Sequence, residues 1–131
     1  MLPARHRLRD RTDITAAVRA QRKGGPHLVV HAINTGARAG APPRVGFVVS
    51  KAVGTAVVRN RTKRRLRALM APRMLLLPTG LDLVIRALPS AAECAFTQLQ
   101  GDLDRQIAAV LRRTPVPSRA LSGDGPSEQV T

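Results

Sequence analysis

The sequence predicts a small α/β domain with elements in the order α-β-β-α-β-α and a strongly basic helix at its centre. Three patterns support this prediction. Two short runs rich in β-branched residues precede a long segment without Gly or Pro, a third apolar run follows that segment, and an amphipathic stripe ends the series. The 131 residues match the usual size of one domain and can build one hydrophobic core.

The first predicted element is a short helix over residues 11–21. Thr12 stands at its start and is the expected N-cap. Residues 23–26 (KGGP) end the helix because Gly and Pro disfavour helical backbone. The apolar side chains at helical spacing are Ile14, Ala17 and Val18.

Two strands are predicted next, over residues 27–33 (HLVVHAI) and 44–50 (RVGFVVS). Both runs are short and rich in β-branched residues, as buried and half-buried strands are. A loop that contains Gly and Pro joins them. Because the two strands are consecutive in the chain, we expect them to pair with each other in a hairpin-like ladder.

The central helix is predicted over residues 56–71, which contain neither Gly nor Pro. The Thr55 hydroxyl can cap its start, and Pro72 is expected to stop it. A narrow apolar stripe can pack against the sheet and leaves most of the helix surface basic. The residues of this stripe are Val58, Thr62, Leu66, Leu69 and Met70.

The last elements are a third strand over residues 81–87 (LDLVIRA) and a final helix. Ser90 and Glu93 have the spacing of a capping box that would open this helix. Residues 114–131 are rich in Thr, Pro, Ser and Gly, so we expect a disordered tail after a folded domain over residues 1–113. The apolar stripe of the final helix consists of Phe96, Leu99, Leu103, Ile107, Val110 and Leu111.

The charge balance points to a polyanionic partner. The chain has 22 Lys or Arg and 8 Asp or Glu, a net charge of +14, which favours nucleic acid first and an anionic membrane surface second. A single cysteine, Cys94, excludes an internal disulfide and a structural zinc site. The longest nearly apolar stretch, residues 74–77, is too short to span a bilayer, and the charged start lacks the apolar region of a secretory signal. We therefore expect a cytoplasmic protein.

The positive charge is concentrated around the central helix. Residues 44–73 contain nine basic residues and no acidic one. Arg59, Lys63 and Arg67 follow one another at a spacing of four residues, so they repel each other on an isolated helix. Helix faces that only contact solvent usually mix the two signs of charge. A bound polyanion would relieve this repulsion, and Arg suits bidentate contacts with phosphate.

Residues 44–67 (RVGFVVSKAVGTAVVRNRTKRRLR) closely resemble the signature of the protein subunit of bacterial ribonuclease P. The order of elements fits this family over about residues 5–113. The resemblance implies a two-layer α+β sandwich like domain 2 of ribosomal protein S5. It also implies a mostly antiparallel sheet and an unusual left-handed crossover through the basic helix.

The resemblance also implies a function. The family subunit belongs to an endoribonuclease whose catalytic centre is RNA, and it binds this catalytic RNA and the 5′ leader of precursor tRNA. Divalent metal ions, Mg²⁺ above all, would be held mainly by the RNA. The family motif places Lys51, Arg59, Asn60, Arg61, Lys63, Arg64 and Arg67 at the RNA. Arg and Lys would neutralise phosphates, whereas Asn60 can bond a base edge or a 2′-hydroxyl.

One site departs from the family pattern. The family lines its leader cleft with aromatic residues of the first helix and first strand, and the corresponding residues here are Ile14, Val18 and His31. Stacking on an aromatic face contributes roughly 1–3 kcal/mol per base, which aliphatic side chains do not supply. We expect weaker or less base-selective leader contacts.

The sequence offers no catalytic residue. A protein ribonuclease needs a general acid and base or a carboxylate cluster that holds Mg²⁺. Asp102 and Asp104 diverge by about 200° on a helix. Asp10 and Asp13 lie among arginines, where they balance charge and stabilise a helix N-terminus. We expect no metal site, no membrane contact and no protein partner.

Three other classes remain open. A small basic ribosomal protein has a similar composition, and stable assembly into ribosomes would support it. An RNA-recognition motif would need stacking aromatics, and the chain has two Phe and no Trp or Tyr. A membrane-surface helix would need a wider apolar face with aromatic anchors.

Overall fold

The computed structural model describes residues 2–115 and contains three α-helices and one four-stranded sheet. Most of the predicted tail, residues 116–131, lies outside the described residues. The predicted order of three helices and three strands is confirmed, and the structure adds one strand. The elements are α1 (Arg11–Val18), β1 (Gln21–Gly24), β2 (Leu28–Ile33), β3 (Arg44–Val48), α2 (Ala56–Arg73), β4 (Asp82–Ala87) and α3 (Phe96–Arg113).

The sheet has the strand order β1-β2-β4-β3. The predicted hairpin between β2 and β3 is wrong, because β4 lies between them and pairs antiparallel with β2 and parallel with β3. All residues of β4 except Arg86 are buried, so this strand is stable only when covered on both faces and paired on both edges. The sheet is nonetheless mostly antiparallel, as expected from the resemblance.

Strand β1 replaces the predicted end of the first helix. The helix stops at Val18, and Gln21 pairs with Ala32 of β2 rather than continuing the helix. Its cap also differs from the prediction: the Asp10 carboxylate accepts hydrogen bonds from the backbone N–H of Thr12 (2.8 Å) and Asp13 (3.2 Å). An anionic cap is favoured over the Thr12 hydroxyl because it also interacts with the helix dipole.

Helices α2 and α3 cover one face of the sheet, and α1 packs on the other. Successive strand residues point to opposite faces, so Val30 and Leu83 belong to the main core whereas Val84 belongs to a smaller cluster under α1. That smaller cluster also contains Leu8 and Ala17. The large buried side chains are almost all aliphatic, as the composition requires.

The predicted capping box of the final helix is not formed. Ser90 lies in a 3₁₀ turn, Pro89–Ala92, and donates its hydroxyl to the backbone oxygen of Pro26 (2.9 Å). Helix α3 begins only at Phe96, whose side chain is 45% exposed. The rest of the predicted stripe is buried or half-buried, so Phe96 alone among these residues stands outside the core.

A buried carboxylate joins α3 to the turn between β1 and β2. Asp102 is fully buried and accepts hydrogen bonds from the backbone N–H of His27 (2.9 Å) and Leu28 (3.0 Å). The Gln106 amide donates to its second oxygen at 2.8 Å. A Cβ atom on Gly25 would collide with Asp102 and Gln106, so only Gly allows this close approach.

A second charged cluster ties α1, β3 and β4 together. Arg44 binds both carboxylate oxygens of buried Asp82, at 2.9 and 2.8 Å, and also reaches Asp13 at 3.2 Å. Arg38 in the loop before β3 contacts Asp82 at 3.2 Å. The hydrogen bonds to Asp82, more than its charge alone, raise the pKa of Arg44. Asp13 thus pairs with a cation 31 positions along the chain, and no ion pair with a neighbouring arginine is present among the described residues.

We predict that Asp102→Ala lowers the free energy of unfolding by about 2–4 kcal/mol, because it leaves two buried backbone N–H groups without an acceptor. The matched control is Asp104→Ala on the same helix. Asp104 is half exposed and pairs only with Arg73, so its loss should cost at most about 1 kcal/mol. Urea unfolding followed by circular dichroism measures both, and equal losses would contradict the role given to Asp102.

We also predict that stability falls as the pH drops from about 7.5 to 5.5. His31 is 1% exposed, and neither ring nitrogen has a hydrogen-bond partner among the described residues. Burial, then the charges of Arg86 and Arg22, lower its pKa from the ordinary 6.5. The unfolded chain therefore binds the proton more readily, and stability is lost as the pH falls below that value.

Urea midpoints measured across this pH range test the prediction. The variant His31→Leu should show a shallower decline, whereas His6 and His27 remain in both proteins and give the same background. Identical slopes for the two proteins would contradict it.

Candidate nucleic-acid interface

Helix α2 carries most of the predicted site. The Thr55 hydroxyl accepts a hydrogen bond from Val58 N–H at 3.3 Å, which confirms the predicted cap. The helix continues two residues past the predicted end, with Pro72 in its last turn. The predicted stripe faces the core: four of its members are buried and Val58 is half-buried. The buried members are Thr62, Leu66, Leu69 and Met70.

One flank of α2 borders a groove of about 620 Å³. The opposite wall is the segment that precedes α1, which adds to the sheet edge because Leu8 N–H bonds the Val45 backbone oxygen at 3.0 Å. A Cβ atom on Gly46 would lie 2.8 Å from the Leu8 backbone oxygen, so the glycine of the RVGF run permits this approach. The apolar residues that line the groove are Leu2, Leu8, Val45, Phe47 and Ala68.

The groove is strongly cationic. Five basic side chains line it, and none forms an ion pair with an acidic residue in the described part of the chain. Three belong to α2 and two to the N-terminal segment, so charge faces the groove from both sides. These residues are Arg7, Arg9, Lys63, Arg64 and Arg67.

The other flank of α2 faces the turn before α3. Arg65 donates to the backbone oxygens of Cys94 (2.8 Å) and Ala91 (3.3 Å), and its guanidinium carbon lies 5.9 Å from the centre of the Phe96 ring. Arg61 reaches the Ala92 oxygen at 3.5 Å. Of the residues predicted to bind RNA, Arg61 therefore lies away from the groove.

The remaining residues of the predicted RNA-binding set flank the start of α2. Lys51 is exposed in a 3₁₀ turn, Lys51–Val53, and Asn60 is exposed on the helix. Arg59 is half-buried, and its Nε is buried without a partner among the described residues. None of these three lines the groove.

Two of the nine cations between residues 44 and 73 are neutralised by distant carboxylates. Arg44 pairs with Asp82, and Arg73 binds both oxygens of Asp104, at 2.6 and 3.0 Å. The hydrogen bonds from Arg73 lower the pKa of the Asp104 carboxyl. The sequence could not show these pairs, because each joins residues more than 30 positions apart.

The residues predicted to line the leader cleft lie where α1 packs on the sheet. Ile14 and Val18 are half-buried against the smaller apolar cluster, and His31 is buried beside them in β2. Arg22 of β1 pairs with His31 and is exposed. Arg86 of β4 points to the same face as His31 and is half-buried, and its Nε has no partner among the described residues.

Sequence reasoning missed four of these cations, Arg7, Arg9, Arg22 and Arg86. Arg7 and Arg9 gave no local signal, since their place beside α2 depends on the pairing of the N-terminal segment with β3. Arg86 did give a local signal, because it interrupts the apolar run of β4, where a charged side chain is unusual.

Residues 2–115 contain no cluster of three His, Cys, Asp or Glu side chains suited to a metal ion. They also contain no helix long and apolar enough to cross a membrane.

Comparison with known proteins agrees with the resemblance. The family model for ribonuclease P matches residues 2–111. The ribonuclease P protein component of Kocuria rhizophila is 48% identical over 113 residues, which cover 86% of this chain and 98% of that protein. The component of Streptomyces avermitilis is 50% identical over 119 residues, which cover 85% of this chain and 96% of the relative.

Solved structures show the same fold. The ribonuclease P protein of Staphylococcus aureus superposes with a TM-score of 0.70 at 25% identity, over 80% of this chain and 96% of that one. The protein of Thermotoga maritima superposes with a TM-score of 0.64 at 24% identity, over 82% and 97%. With the family model matched over most of its length and close relatives at about half identity, the chain belongs to the ribonuclease P protein family.

Proposed function

We propose that this chain binds the catalytic RNA of ribonuclease P through the basic groove and the adjoining surface of α2, and so assists removal of the 5′ leader from precursor tRNA. The family places the chain in an endoribonuclease of tRNA processing. The groove is the main support for the proposal, because five cations without an ion-pair partner in residues 2–115 face one concave surface from two separate elements.

The groove has the chemistry of an RNA backbone site. Four of its five cations are Arg, whose planar fork matches phosphate oxygens, and the apolar floor supports contact with sugars. Lys51 and Arg59 extend positive charge along the start of α2, and exposed Asn60 can bond a 2′-hydroxyl. Phosphate contacts would fix the position of the RNA without reading its sequence.

We assign the leader to the cleft between α1 and the sheet. Arg22 and Arg86 supply positive charge on this face, and Ile14 with Val18 supply apolar contact. His31 is too deeply buried to stack on a base in this conformation. Contacts here should therefore act through leader phosphates more than through base stacking, in line with the missing aromatics.

We assign cleavage of the phosphodiester bond to the RNA subunit. Three of the described carboxylates are engaged within the fold: Asp102 binds backbone N–H groups, Asp82 binds Arg44, and Asp104 binds Arg73. As the resemblance implies, Mg²⁺ would be held mainly by the RNA. The proposed site of action is the cytoplasm. No observation favours the ribosomal alternative.

We predict that the chain stimulates cleavage of precursor tRNA by the catalytic RNA at low Mg²⁺ and is inert alone. Multiple-turnover assays with RNA alone, protein alone and both together measure this. A variant with Lys63→Ala, Arg64→Ala and Arg67→Ala should fold normally, because all three side chains face the groove, and should lose the stimulation. Full stimulation by that variant would contradict the placement of the RNA.

We predict that each single change, Arg64→Ala or Arg67→Ala, weakens binding of the catalytic RNA and reduces the slope of log K against log salt by about one unit or less. The matched control is Arg112→Ala, which removes an exposed cation from the far end of α3. Filter binding across a series of salt concentrations gives the slopes. An unchanged slope would remove that residue from the interface.

A further inference from the structure

Phe96 is the one exposed aromatic residue in the described part of the chain. The protein has two Phe and no Trp or Tyr, and the second Phe, Phe47, is half-buried at the groove. Phe96 leaves 45% of its side chain open to solvent at the first residue of α3. The chain builds its core from aliphatic residues and holds one of its two aromatic rings at the surface.

Arg65 lies beside this ring, and Arg61 contacts the turn that precedes it. The Arg65 guanidinium is fixed by hydrogen bonds to the Cys94 and Ala91 oxygens and lies 5.9 Å from the ring centre. Arg61 lies one turn earlier on α2 and contacts the next carbonyl, that of Ala92. We call Phe96, Arg61 and Arg65 the Phe96 patch. It combines an aromatic face with cations already held in place, so little side-chain freedom is lost when a ligand binds.

The Phe96 patch is separate from the groove. Arg65 is two residues from both Lys63 and Arg67, which rotates it by about 200° around the helix. Arg64, also at the groove, is one residue from Arg65 and lies about 100° away around the helix. The groove therefore reaches the exposed back of α2, and the patch lies on the flank beyond it, within a helix diameter of about 10–12 Å. A strand of RNA bound in the groove needs to cross only the exposed back of α2 to reach the patch.

We propose that the Phe96 patch binds an unpaired base of the RNA partner, with the base stacked on the Phe96 ring and the adjoining phosphate on Arg61 and Arg65. The proposal rests on the RNA-binding function proposed above. An aromatic ring beside Arg is the usual platform for single-stranded RNA, and stacking accepts any base. Because the chain has no Trp or Tyr and Phe47 is half-buried, Phe96 is the exposed ring available for stacking in the described structure.

The absence of Trp and Tyr from the chain supplies a direct test. In Phe96→Trp the new indole is the only strong fluorophore, so its emission reports on this position alone. Titration with the catalytic RNA should quench that emission, because a stacked base quenches indole. The control is Leu75→Trp, which places the indole at a residue 84% exposed in the 3₁₀ turn after α2. Its emission should change little.

Affinity provides the second measurement. Phe96→Leu keeps an apolar side chain but removes the ring, and it should weaken binding of the catalytic RNA by about fivefold to a hundredfold. Phe96→Trp should keep the affinity of the parent protein.

A fluorescence comparison of two short RNAs tests whether the base must be unpaired. A short oligouridylate should quench the emission of Phe96→Trp more than a fully paired RNA duplex of the same length does, since only unpaired bases can stack. Circular dichroism confirms that the variants are folded.

The outcomes separate the two proposals. If the parent protein binds the catalytic RNA but Phe96→Trp is not quenched, or Phe96→Leu binds as tightly as the parent, the stacking site is overturned and the groove stands. Equal quenching by duplex and single strand also overturns stacking. If the parent protein does not bind the catalytic RNA at low salt, the proposed function itself fails.

Discussion

The fold depends on the position of β4 between β2 and β3. This strand is buried on both faces and hydrogen-bonded along both edges, and it follows both of its neighbours in the chain. Since β3 and β4 run parallel, the chain has to return along the sheet between them, and α2 makes that return. The same constraint that completes the sheet therefore places the basic helix beside the β3 edge, with one flank toward the N-terminal segment and the other toward the start of α3.

The basic residues of α2 and its neighbours divide into those that the protein satisfies and those that it leaves free. Arg44 and Arg73 bind carboxylates. The cations at the groove have no carboxylate partner among the described residues. The cations at the groove therefore repel one another, and the phosphates of an RNA backbone bound there can offset this repulsion.

Elements with strong periodic patterns could be predicted from the sequence. Helices α2 and α3 carry apolar stripes at helical spacing, and β4 is a short apolar run, although the start of α3 and the end of α2 lie elsewhere than predicted. Strand β1 (QRKG) could not be predicted, because an exposed edge strand of four polar residues has no burial pattern. The order of strands in the sheet could not be predicted either, because β4 lies between two strands that precede it in the chain. At the candidate site, the family motif includes the three α2 residues that line the groove, Lys63, Arg64 and Arg67. Arg7 and Arg9 reach the groove only through tertiary pairing of the first residues.

The contact between Asp102 and the β1–β2 turn bears on how the protein folds during synthesis. The hydrogen bond from His27 N–H to Asp102 joins residues 75 positions apart. The ribosome therefore synthesises the β1–β2 turn early and the Asp102 carboxylate only with the last helix. Until α3 leaves the ribosome, those backbone donors bond only water, and the sheet face that α3 covers stays open. Contacts between residues so far apart in the chain slow folding, because the intervening loop has to close before they form. A nascent chain of such charge would meet cellular RNA before its core is closed.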